Sequence, residues 1–97
     1  MKVLVTSANS VEAHQLKNKL EADKVILGDY LELPDFMIQS GMMIRLPNPS
    51  SASYNHQMLA LSLDNGIDKI YPLRKEEAIV LQEAIQLFKE YNIDINL

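Results

Sequence analysis

Lys2-Val3-Leu4-Val5-Thr6 is a β-branched apolar run, and Ser7-Ala8-Asn9-Ser10 breaks it into a turn. A helical pattern then begins at Val11 and carries Ala13, Leu16 and Leu20. A buried strand that feeds directly into a helix is the first half of a βαβ unit. In open α/β sheets, ligands sit at the loops that leave the carboxyl ends of such strands. The opening thus predicts an α/β domain with a ligand edge. The turn contains no glycine. A dinucleotide fingerprint needs glycines so that the backbone can approach the pyrophosphate. A nicotinamide or flavin dinucleotide is therefore not expected.

The rest of the chain repeats the alternation. Val25-Ile26-Leu27, ending at Gly28-Asp29, reads as a strand buried on both faces. Residues 30 to 41 have no clear period and are expected to form a loop with at most one helical turn. Met42-Met43-Ile44-Arg45-Leu46 reads as a third strand, stopped by Pro47-Asn48-Pro49. A helix is expected from about Ser53 to Asn65, with Gly66 as its left-handed stop. Ile67-Asp68-Lys69-Ile70-Tyr71 is a fourth strand closed by Pro72. One continuous helix is expected from about Lys75 to Tyr91, with Glu76 and Glu77 in its first turn and Lys89 in its last. Ile93-Asp94-Ile95-Asn96-Leu97 alternates as an edge strand would. The order β-α-β-loop-β-α-β-α-β implies one three-layer α/β/α domain over 1–97, with a mainly parallel five-stranded sheet.

Composition narrows the function classes. The 97 residues are 47% hydrophobic, enough for a core, and there is no cysteine. Disulfides, thiolate metal sites and cysteine nucleophiles are excluded. The net charge is −4, with Arg45 and Arg74 the only arginines, which speaks against nucleic acid as a partner. No apolar run approaches the ~20 residues that span a bilayer. The chain also enters its first strand without a signal-like segment. A soluble cytoplasmic protein, not bound to membrane, is the expectation.

Each chemical candidate has a structural alternative. Ser7, Asn9 and Ser10 can bind a phosphate or carboxylate at a helix N-terminus. Alternatively, Asn9 is the N-cap, with Glu12 reaching back as in a capping box. Asp29 lies where an acid grips a ribose hydroxyl in dinucleotide folds, or it forms a turn after Gly28. Arg74, Lys75, Glu76 and Glu77 leave the fourth strand and either face the same crevice or simply start a helix. His14 and His56 stand alone on helices and are expected to face solvent. Phe36-Met37-Ile38 and Met42-Met43, with Tyr30 and Leu31 ahead of them, are read as core by default. Their other reading is an adaptable surface for another domain or a second copy of the chain.

The chain resembles the N-terminal domain that precedes the ATP-grasp fold in carboxylate–amine ligases, in the versions found in carbamoyl-phosphate-synthase-like proteins. Lys2-Val3-Leu4-Val5-Thr6-Ser7, Val25-Ile26-Leu27-Gly28-Asp29 and Arg45-Leu46-Pro47-Asn48-Pro49 carry the likeness. So do the segment from Asn65-Gly66-Ile67-Asp68 through Tyr71-Pro72 to Glu76-Glu77, and the tail Phe88 to Ile95. The resemblance implies a Rossmann-like pre-ATP-grasp domain that is inactive alone and forms the substrate side of an ATP-dependent ligase. It implies substrate-facing loops after the first, second and fourth strands, at Ser7 to Ser10, Asp29 and Arg74 to Glu77, with Arg74 or the Asn9 turn meeting a carboxylate. ATP and magnesium would belong to ATP-grasp domains of the same or a partner chain, and no cofactor is expected in this one. Where many members have glycines in the first loop, this chain has Ser-Ala-Asn-Ser. The alternatives are a free-standing binding or dimerisation module that uses the Phe36–Met43 surface, and a small nucleotide-binding domain.

Overall fold

The computed structural model describes residues 1–21 and 24–97. Its five strands are β1 (Lys2–Val5), β2 (Lys24–Asp29), β3 (Met43–Arg45), β4 (Lys69–Tyr71) and β5 (Asp94–Ile95). The helices are α1 (Val11–Lys19), α2 (Asp35–Gln39), α3 (Tyr54–Asp64), α4 (Lys75–Gln82) and α5 (Ile85–Lys89). The strands form one sheet in the order β3-β2-β1-β4-β5, and every pairing is parallel. The chain builds outward from β1 to β3 on one side and then returns to add β4 and β5 on the other. The strand order therefore reverses between β1 and β4, the position where open α/β sheets leave a crevice.

Alternation within β1 sorts the layers. Val3 and Val5 join Ala13, Leu27, Leu33 and Met43 on the face covered by α1 and α2. Leu4 joins Ile26, Ile70, Tyr54, Met58, Leu81 and Phe88 on the opposite face, under α3, α4 and α5. The expected three-layer α/β sheet is what the chain forms. Gly28 is fixed by packing: a Cβ there would come within 2.9 Å of the Leu46 side chain. Gly66, at φ 65°, is the expected left-handed stop after α3.

Two local expectations are corrected. The N-cap of α1 is Ser10, whose Oγ accepts from the Ala13 N–H at 3.1 Å, and not Asn9. Ser7 causes the shift, because its left-handed backbone (φ 60°) lets its carbonyl accept from both the N–H and the hydroxyl of Ser10. The turn then closes one residue later than a cap at Asn9 would require. A serine held there stores strain that glycine would not. Ser7→Gly is expected to stabilise the fold by about 0.5 kcal/mol, the left-handed relief less the extra chain entropy of glycine. Urea denaturation measures this.

The expected continuous helix from Lys75 is instead α4 and α5, broken at Ala84 (φ −112°, ψ 11°). The N–H groups of Glu83 and Ala84 reach back to Val80 and Leu81, bonds that tighten the last turn of α4. Leu81, Ala84 and Phe88 are buried in the core, while Tyr91 is exposed.

Candidate functional site

At the carboxyl edge of the sheet, four segments meet in a charged cluster. Asp29 ends β2 and is fully buried. Arg74 is the residue before α4, and its two terminal nitrogens form a fork with the two carboxylate oxygens of Asp29, Nη2 to Oδ2 at 3.2 Å. The same guanidinium stacks over Tyr30, 4.8 Å from the ring centre. Its Nη1 lies 3.7 Å from Glu77, one turn further along. Glu77 is fully buried and accepts a 2.7 Å hydrogen bond from the Tyr54 hydroxyl at the start of α3. Its second carboxylate oxygen is buried without a hydrogen bond among the described residues. Thr6, at the end of β1, accepts from the Leu73 N–H at 2.9 Å and fastens this loop to the sheet.

The two carboxylates respond to this setting in opposite directions. Burial works to raise the pKa of Asp29, but the Arg74 fork, the Leu31 N–H bond and the Arg74 charge together hold it below the usual carboxylate range. Burial dominates at Glu77 and raises its pKa, with Tyr54 and Arg74 opposing only in part. Tyr54 is pushed up by burial and by the Glu77 charge, so it remains a hydrogen-bond donor. The Asp29 bond, reinforced by the Asp29 charge, raises the pKa of Arg74 despite burial.

The signs give a pH test. A carboxyl whose folded pKa exceeds its unfolded value of about 4.3 keeps its proton in the native state after the unfolded chain has lost it. Its contribution is complete below the unfolded pKa and is lost as pH rises through the folded one. Asp29 behaves oppositely, contributing above about 3.9 and losing that contribution as acid protonates it. Glu77→Gln should therefore gain on the wild type as pH rises above the unfolded value of about 4.3, while losing its relative advantage in acid. Urea midpoints across that range give the readout, and parallel curves would contradict the assignment.

Beside the cluster lies a groove of about 570 Å³. Tyr30 contributes from the β2 end, Asn48, Pro49 and Ser50 from the loop after β3, and Glu76, Ile79 and Val80 from α4. Its size is within the range of small-molecule sites. Asn48 folds its own loop, its Oδ1 accepting from the N–H and the hydroxyl of Ser50 at 2.9 and 2.8 Å.

The sequence candidates thus separate. Asp29, Arg74 and Glu77 come together as one network, and Glu76 lines the groove next to it. Ser7, Asn9 and Ser10 stay in the first turn, where Ser7 and Ser10 close the loop and the Asn9 amide makes a long 3.4 Å bond to the Glu32 carbonyl. An incoming anion would have to compete with Asp29 for Arg74. Asp29 also forms the turn anticipated for it, through the Leu31 N–H. His14 and His56 are exposed, as expected. Phe36 and Met42 remain exposed, whereas Met43 is core.

Sequence reasoning missed Tyr30, Tyr54 and the Asn48–Ser50 loop. Applying the carboxyl-edge rule to the third strand, as was done for the first, second and fourth, would have found the loop. Tyr30 follows Asp29 directly and had the same signal.

The carboxylates at this edge do not suit a magnesium site: Asp29 is taken by Arg74, and Glu77 is held between Tyr54 and Arg74. No group of three or more His, Cys, Asp or Glu among the described residues could hold a metal ion. No helix among them is long and apolar enough to cross a membrane. Neither the models of known protein families nor the curated proteins contain a match to this chain.

Proposed function

We propose that the chain is the substrate-side, pre-ATP-grasp domain of a carbamoyl-phosphate-synthase-like carboxylate–amine ligase, acting in the cytoplasm and not catalytic alone. One observation carries the reading. A groove of ligand size opens at the carboxyl edge of an all-parallel sheet, beside the strand-end residues on which the family resemblance rests. The Ser50 hydroxyl in the wall is bonded to Asn48. In the cluster beside the groove, Asp29 and Arg74 neutralise each other. Such a surface can bind and orient, while ATP and magnesium would be handled by ATP-grasp domains of the same or a partner chain.

The test is reconstitution with an ATP-grasp protein encoded next to this gene or in continuation of it. ADP release dependent on a carboxylate and an amine should need both components. Equal turnover by the ATP-grasp protein without this chain would overturn the proposal.

A second reading, a free-standing module that pairs with another copy, draws on exposed apolar side chains near the β3 edge. Phe36 is 68% exposed and Met42 47%. Sedimentation of the wild type and Phe36→Asp distinguishes it: this module would be a dimer that the substitution dissociates.

A further inference from the structure

Arg74 is already committed within the cluster. Asp29 and Glu77 are both fully buried and share a single guanidinium, and the fork on Asp29 takes up both terminal nitrogens of Arg74. Glu77 keeps one oxygen without a hydrogen bond among the described residues. One residue earlier in α4, the exposed Glu76 is the one carboxylate among the described residues that line the groove. Among the described residues, no lysine or arginine lines the groove. The other lining is apolar or neutral: the Tyr30 ring, Pro49, Ile79 and Val80, with Asn48 nearby. The Tyr30 ring is held in place by Arg74, which already occupies one of its faces. It is therefore a fixed apolar wall, better suited to van der Waals contact than to a second cation.

From this geometry we infer that the groove takes a small primary amine in its ammonium form, with the cationic head at Glu76 and a short apolar or aromatic body against Tyr30, Ile79 and Val80. The inference rests on the proposed function only in treating this edge as the one that faces a ligand. An anionic ligand of the same shape would meet the Glu76 carboxylate, and no lysine or arginine among the described residues lines the groove to receive it.

The experiment is a titration of the 97-residue chain at pH 7.5, followed by amide chemical shifts, with phenethylamine and with 3-phenylpropionate. Phenethylamine should saturate shifts at Tyr30, Ser50, Glu76 and Val80. The carboxylate should bind roughly tenfold more weakly, since an ion pair worth up to about fivefold is replaced by a repulsion of similar size. Glu76→Gln, a change at an exposed position that the fold tolerates, should bring the two ligands to within about twofold. The inference fails if the carboxylate binds the wild type as tightly as the amine, if Glu76→Gln retains the preference, or if the amine leaves these four amides unmoved up to roughly 20 mM, a range covering millimolar affinity. Such a failure would leave the ligase reading standing, because that reading is decided by turnover with the ATP-grasp component.

Discussion

Replacing Arg74 with methionine should destabilise the domain by about 3–5 kcal/mol, a large share of the 5–15 kcal/mol that holds a domain of this size together. The cost does not come from losing a surface ion pair. Arg74 is only 15% exposed, and its removal leaves Asp29 and Glu77 both buried without a counter-charge. The network as a whole need not be stabilising. Desolvating three charged groups costs nearly as much as their attraction returns, and apolar replacements of similar volume are often neutral or better. The combined variant Asp29→Leu, Arg74→Met, Glu77→Leu and Tyr54→Phe should therefore recover most of the stability lost in Arg74→Met alone. Tyr54→Phe belongs in the set because its hydroxyl would otherwise lose its acceptor, Glu77. Urea unfolding of the single and combined variants separates the two effects. A single variant as stable as the wild type would show that Arg74 does not neutralise buried charge.

Phe88→Ala should cost a similar 3–5 kcal/mol for a different reason. Phe88 is fully buried in the core beneath α3, α4 and α5, with Ile70, Leu81 and Ile93 in the same cluster. It sits in α5, one turn beyond the break at Ala84. Removing the ring loses its burial and leaves a cavity that the sheet on one side and the helices on the other cannot close. For about 100 residues each kcal/mol moves Tm by roughly 4–8 °C, so a fall of some 15–30 °C is expected. Calorimetry reads it, and a fall of only a few degrees would mean that α5 can repack.

The two variants also mark the boundary between what could and could not be read from the sequence. The strands were legible because Val3, Leu4 and Val5 belong to an apolar run too short for a helix, and because turns follow at Ser7, Gly28, Pro47 and Pro72. Alternation of strands and helices then gives a parallel sheet almost without choice. The break at Ala84 was not legible. Val80, Leu81, Ala84 and Phe88 fit a continuous helix equally well, and no glycine or proline between 80 and 88 marks a stop. The cap shifted from Asn9 to Ser10 for a comparable reason, since a left-handed serine at position 7 follows no propensity.

At the site, Asp29 and Arg74 could each be picked out as residues at strand ends. Their pairing across 45 positions could not, because it depends on β2 and β4 lying on either side of β1. Tyr54 is further from any sequence rule. It opens a helix after a serine-rich connector, and its ring is buried in the core with its hydroxyl donated to Glu77 from α4. The groove emerged from a loop that was read merely as a stop, Pro47-Asn48-Pro49.

The most direct test of the carboxyl edge as the substrate wall is the steady-state kinetics of the reconstituted ligase with Tyr30→Ala, using Phe36→Asp as the comparison on the other surface. Tyr30→Ala removes the groove wall and should raise the KM of one substrate about tenfold while changing kcat little, the pattern of lost binding equal in the ground and transition states. Phe36→Asp should leave both constants near wild type. An unchanged KM in Tyr30→Ala, together with lost activity in Phe36→Asp, would contradict the account and move the working surface to the β3 side of the domain.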